Sequence, residues 1–124
     1  MNCFVHDILS GPVRGKYDAA FSLDVLEHIQ ESQEELFINN IVSSLAADGV
    51  LIIGMPSLES QQYASSQSRE GHVNCKSGND LKFLFSRFFR NVFLFSMNDE
   101  VIHTGFAPMA HYLFVLCCGP KNSS

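Results

Sequence analysis

The run from Tyr17 to Ile29, YDAAFSLDVLEHI, constrains this chain more than any other stretch. Tyr17 to Ser22 is short and apolar enough for a buried strand, and Asp24, Glu27 and His28 gather directly after it. In an open parallel sheet the ligand crevice lies outside the carboxyl ends of the strands, so acids and a histidine placed there are candidate site residues. On residue types alone the simpler account is a strand followed by a solvated turn.

The segments around this run alternate strand and helix patterns. Cys3 to Val5 reads as a strand that ends in His6 and Asp7 and is closed by the Ser10-Gly11-Pro12 turn. Gly11 to Lys16 is too short for a crossover helix, so these two strands are either not adjacent or not parallel. Ser32 and Glu35 fit a capping box, and Phe37, Ile38, Ile41, Val42 and Leu45 follow at helical spacing. Asp48-Gly49 ends that helix. Val50 to Met55 is a continuous apolar run of the central-strand kind, stopped by Pro56.

Ser57 to Glu70 is rich in Ser and Gln and reads as a long loop or lid carrying Tyr63 and leading into Gly71-His72-Val73-Asn74. Ser77 and Asp80 start a second helix with Leu81, Leu84, Phe85, Phe88 and Phe89 as its core stripe. Asn91 to Met97 and Ala110 to Cys118 read as strands, and an antiparallel pair closes the chain. Helices alternating with apolar strands give an α/β layered domain.

Composition limits the function classes. A length of 124 residues with 46% apolar and 17% charged residues suits one domain. Net charge is -5 and the few Lys and Arg are scattered, which argues against a nucleic-acid partner. The four cysteines form no Cys-x-x-Cys pair and follow no secretion signal, so reduced thiols in a cytoplasmic protein are expected, without disulfides or structural zinc. No apolar run is long enough for a membrane-spanning helix. Of eleven Phe, most follow residue 82, which predicts a well-buried second half.

Taken together, YDAAFSLDVLEHI, LAADGVLIIGMP, SLESQQYAS and GHVN resemble the class I S-adenosylmethionine-dependent methyltransferases. In that family an aspartate near the end of the third strand lies beside the adenine, the fourth strand carries a D-x-x-x-x-x-x-V-L-E-H-like signature, and the fifth follows an L-x-x-G-G-like turn. Asp7, Asp18 with Val25 to His28, and Leu45 to Gly49 match these positions. The resemblance implies a Rossmann-like sheet, mostly parallel with an antiparallel C-terminal strand pair, and S-adenosylmethionine as cofactor. It implies methyl transfer to an unidentified acceptor of small-molecule or glycan type.

The family's Gly-rich first loop and the acidic residue ending its second strand have no counterpart. The chain therefore reads as a partial domain over residues 1–118, truncated at the N-terminus, with a polar tail at 119–124. Without its neighbouring strands the sheet edge calls for a cover, either a second copy or a partner chain. A catalytically inactive methyltransferase-like fragment acting as a binding or oligomerisation module is the alternative to an enzyme.

The resemblance also assigns residues. Asp7, Ile8, Ser22, Leu23 and Asp24 fall on the cofactor side, where backbone contacts are as common as side-chain ones. Glu27, Tyr63, His72 and Asn74 fall on the substrate side. His28 and His72 are the candidate catalytic groups, since imidazole titrates near neutrality. Each has a plainer alternative: a turn-capping Asp7, a turn shaped by Glu27 and His28, and a loop anchored by His72 and Asn74. His6, Asp7, His28 and His72 lack the tight spacing of metal ligands, so no metal is expected.

Overall fold

The Tyr17 run forms β1 (Tyr17–Leu23), which lies parallel to β2 (Leu45–Pro56), with α1 (Glu34–Ser43) as the crossover between them. A computed structural model describes residues 1–121; residues 122–124 of the expected polar tail lie outside the described residues. A short α2 (Ser66–Gly71) and α3 (Gly78–Ser86) follow, then β3 (Phe89–Asn98), β4 (Val101–His103) and β5 (Tyr112–Pro120). Five strands form one sheet in the order β1-β2-β5-β3-β4. β5 inserts between β2 and β3 and is antiparallel to both, and β4 closes a hairpin on β3. The α/β layering and the antiparallel C-terminal strands are as expected. Within this sheet the parallel pairing is the β1–β2 ladder, and outside it a single parallel bridge joins Ser57 to Lys76.

One face of the sheet carries the core. Leu51, Ile53 and Met55 of β2, Leu113, Val115 and Cys117 of β5, and Phe89 and Val92 of β3 are buried against Phe37, Ile38 and Ile41 of α1 and Leu81, Leu84 and Phe85 of α3. Each fully buried side chain of this size stabilises the fold by roughly 1.5–3 kcal/mol. The opposite face is apolar and open. Phe21, Ile52, Leu116 and Phe93 stand in register across β1, β2, β5 and β3, and Phe21 is 76% exposed. Phe83, Phe93 and Phe106 are also exposed, so the Phe-rich second half is less buried than its composition suggests.

Several local expectations give way to context. Cys3 to Val5 forms no strand, and Phe4 and Val5 are exposed, because no neighbouring strand is present to accept their backbone bonds. Ser32 lies in a single 3-10 turn (Glu31–Gln33) ahead of α1 and makes no cap bond, while Glu35 pairs with Arg87. The loop from Ser57 is largely built: it holds a 3-10 segment at Glu59–Tyr63 and then α2. α3 ends at Ser86, so Phe89 is buried as the first residue of β3 instead of extending the helical stripe. β5 continues through Gly119 and Pro120, where the tail was expected to begin.

Leu45 to Gly49 is the irregular start of β2. Tyr17 pairs with Leu45 and Ala19 with Val50, so the intervening residues bulge from the ladder. A Cβ on Gly49 would stand 2.9 Å from the Ala46 carbonyl oxygen, which explains the glycine there. No helix among the described residues is long and apolar enough to cross a membrane.

Candidate functional site

β1 ends at Leu23, and Asp24 takes a left-handed backbone conformation, φ 59°, that turns the chain off the sheet. Aspartate tolerates this region better than most side chains. Two bonds hold it: its N–H donates to the Gly54 carbonyl at 2.9 Å, and the Tyr112 hydroxyl donates to its Oδ1 at 2.9 Å. Burial, with the Asp24 acceptor beside it, pushes the Tyr112 hydroxyl well above its ordinary pKa. A 3-10 turn at Leu26–His28 then buries Leu26 and Glu27.

The loop after β2 brings the second half of the site. The Ser65 hydroxyl caps α2 by accepting from the Ser68 N–H, and the helix delivers Gly71 and His72 to the turn after β1. His28 Nδ1 lies 2.7 Å from the Gly71 carbonyl oxygen, and His72 Nδ1 lies 2.8 Å from Gln61 Oε1. The rings meet edge to face, with centroids 5.0 Å apart. Since each Nδ1 faces an oxygen acceptor, the proton of the neutral ring is assigned to Nδ1 and the lone pair to Nε2.

Glu27 sits beneath this pair. Its side chain is 1% exposed, its Oε2 lies 3.8 Å from His28 Nε2, and its Oε1 has no hydrogen-bond partner. Burial pushes the Glu27 carboxyl up; its own backbone and the neighbouring histidines pull the other way, and Asp24 adds to the rise. The Cys75 thiol, desolvated and close to the Glu27 charge, is pushed up to about 11.

A buried polar network locks the two segments together. The Asn74 N–H donates to the Glu27 carbonyl at 3.0 Å, and Asn74 Nδ2 donates to Glu34 Oε1 at 3.2 Å. Lys76 Nζ lies 3.1 Å from the same oxygen. Asn74 therefore serves here as an anchor joining the His72 loop to α1.

The predicted site residues divide into groups. Glu27, His28 and His72 converge, with one ligand-type atom from each lying within 4.8 Å of the others. These three are the residues of the site whose donor atoms could hold a metal. His6, which the sequence grouped with them, bonds the Gly11 carbonyl instead. Asp7 caps its own turn, its Oδ1 accepting from the Leu9 N–H. Tyr63 is exposed and lines a separate hollow with Glu59, Met109 and His111.

Ile8 and Ser22 line one apolar groove beside β1, with Tyr17, Phe21, Val25 and Phe37. At about 290 Å³ it falls at the bottom of the roughly 300–1,000 Å³ typical of ligand sites. Glu34, Gln61, Lys76 and Tyr112 were not singled out from the sequence. The Ser57 loop signalled only that something functional lay within it, and Tyr112 lies 88 residues from the Asp24 it holds.

Comparison with solved structures places the fold. The N-methyltransferase NodS from Bradyrhizobium japonicum in complex with S-adenosyl-L-homocysteine is 20% identical over 94% of this chain and 53% of its own, with a TM-score of 0.60. A DhpI–SAH complex is 17% identical over 94% of this chain and 54% of its own, with a TM-score of 0.62. The small RNA methyltransferase HEN1 superposes with a TM-score of 0.70 at 17% identity, over 96% of this chain and 16% of its own. The chain thus spans about half the length of NodS and DhpI. No family model and no curated protein matches the sequence.

Proposed function

We propose that this chain, whose fold is class I methyltransferase-like, takes part in S-adenosylmethionine-dependent methyl transfer as the carboxyl-terminal part of the catalytic domain. The observation that carries the reading is the meeting of the β1 carboxyl end with the Glu27, His28 and His72 cluster at one corner of the sheet. When bound, the cofactor supplies an activated methyl group, and the protein's contribution is alignment and exclusion of water.

On this reading Ile8, Ser22, Leu23 and Asp24 form the cofactor wall, with Asp24 fixed from behind by Gly54 and Tyr112. Asp7 shapes the turn that sets Ile8. Glu27, His28 and His72 mark the side that receives the acceptor, a small molecule or glycan. Asn74 positions His72, and Tyr63, in its separate hollow, stands outside this cluster.

The test is a titration of isotope-labelled chain with S-adenosylhomocysteine, followed by amide NMR. This readout detects even the weak affinity of a single wall. Saturable shifts at Ile8 and at Ser22 to Asp24 are expected. Shifts confined to other regions, or none at all, count against the reading.

A second reading follows from the open face, where Phe21, Ile52, Leu116 and Phe93 form an apolar row ending at the free edge of β1. Such a surface suits a module covered by a second copy or a partner chain, with or without catalysis. Concentration-dependent mass by light scattering, abolished by Phe21→Asp, is the expected outcome. A monomer at all concentrations argues against self-association.

A further inference from the structure

Glu27 is the least comfortable group in the molecule. A carboxylate held out of water is costly unless it is paired and hydrogen-bonded. Glu27 is 1% exposed, yet Oε1 has no partner and Oε2 is 3.8 Å from a ring nitrogen. The Lys76 ammonium of the adjoining network is taken by Glu34, and the Arg69 guanidinium bonds the Gln61 and Gln62 carbonyls. Asp24 contributes further negative potential on the same side. Among the described residues no lysine or arginine is paired with Glu27.

The geometry points to a divalent transition-metal site formed by Glu27 with the Nε2 atoms of His28 and His72. Both Nδ1 atoms are committed to oxygen acceptors, Gly71 O and Gln61 Oε1. This is the outer-sphere arrangement that fixes the tautomer and orientation of metal-bound histidines. Two imidazole nitrogens and one carboxylate oxygen suit manganese, iron, cobalt or zinc, whereas magnesium and calcium prefer all-oxygen sets.

Nitrogen and oxygen ligands sit about 2.0–2.2 Å from such an ion, which sets them roughly 3–3.5 Å from one another. One donor atom from each residue already lies within 4.8 Å of the others, Glu27 Oε2 stands 3.8 Å from His28 Nε2, and His28 is half exposed, so side-chain rotation closes the remaining distance. Three protein ligands leave coordination positions open for water or for an oxygen or nitrogen of a bound molecule. The ion site stands on its own geometry. Its use in holding the methyl acceptor rests on the function proposed above.

Chain stripped with chelator and titrated with cobalt(II) provides the test, read by the visible d–d absorption of a nitrogen- and oxygen-bound ion. One ion per chain is expected. His28→Ala and His72→Ala should abolish saturable uptake, and His103→Ala should leave it unchanged. His28 is half exposed, so its variant keeps the fold, which circular dichroism verifies. Gln61→Ala, which removes only the partner of His72 Nδ1, should weaken binding by about 10- to 100-fold.

Absence of saturable uptake overturns the proposal, as does uptake indifferent to both histidine variants. Sulfur-to-cobalt charge-transfer bands would assign the ion to a cysteine and overturn it equally. Cobalt binding in chain that shows no response to S-adenosylhomocysteine would uphold the ion site while removing the methyltransferase reading, so the two fail separately.

Discussion

Gly54 lies near the carboxyl end of β2, directly behind the turn that carries Asp24, and a single methyl group there tests how the site is supported. A Cβ at this position would stand 2.8 Å from Leu23 Cδ2 and 2.9 Å from both Phe114 Cε1 and Tyr112 Cε1. Those separations are far inside van der Waals contact. Leu23 is partly exposed and can swing away, but the Tyr112 ring is tethered through its hydroxyl to Asp24 and packs on Phe114 at 5.0 Å between centroids. Gly54→Ala is therefore an overpacking substitution, expected to cost about 1–3 kcal/mol.

For a chain of 124 residues the unfolding entropy is roughly 0.26 kcal/mol per degree, so the melting temperature should fall by about 4–12 °C. Tyr112→Phe alone removes one exposed hydrogen bond, worth about 1 kcal/mol. In the double variant the ring is free to yield to the new methyl group, so the combined loss should be smaller than the sum by about 0.5–1 kcal/mol. Differential scanning calorimetry of the four proteins gives the cycle. If Gly54→Ala melts with the wild type, or the two changes add without coupling, the tethered-ring account is wrong.

Other consequences are open to direct measurement. Lys76→Met leaves Glu34 and Asn74 without their cation in a nearly buried network, and urea unfolding should show a loss of about 3 kcal/mol. Stability retained in this variant would mean that Asn74 alone satisfies Glu34. Ser77→Ala removes the hydroxyl that accepts from the Asp80 N–H at the start of α3, with an expected cost of about 1 kcal/mol that Ser77→Asp should restore.

Burial, with Cys118 adding, pushes the Cys117 thiol from 9.0 up to about 12. The folded chain thus keeps a proton that the unfolded chain releases. Its contribution to stability is complete below pH 9 and declines as pH rises toward 12. Urea midpoints should fall across that window, with a shallower slope in Cys117→Val; an unchanged slope would exclude Cys117 as a source. The raised Tyr112 hydroxyl keeps some slope in the variant.

How far the residues announced this structure depends on how local their partners are. The core of β2 was legible because a continuous apolar run has few ways to hide from water except as a central strand. β1 was legible as a strand from its apolar run, but it lies at the sheet edge and is largely exposed where burial was expected. Ser77 was legible because its cap partner is three residues away. The same pattern at Ser32 misled, since a preceding 3-10 turn and Arg87, distant in sequence, took the residues that would have formed the box. Cys3 to Val5 has strand composition, but a strand exists only beside another strand.

At the site, Glu27, His28 and His72 were each named as candidates, yet their convergence was hidden by a loop without periodicity. Nothing local in the sequence marks Glu27 as buried or Tyr112 as its neighbour's tether. Those facts arise from how α2 docks and how β5 inserts between β2 and β3.

The backbone bond from Asn74 to Glu27 and the contact of His28 with Gly71 also set a timetable. The latter pair is 43 residues apart in the chain, so the corner they form cannot close until the segment after β2 has folded back. β1, α1 and β2 can assemble earlier, since the contacts among them span fewer residues. Closure over such a span belongs to the slow, non-local phase of folding. The His28 and His72 ring signals therefore serve as a clock for that last docking event, and in a refolding experiment they should reach native positions after the amides of β1 and β2 are already protected.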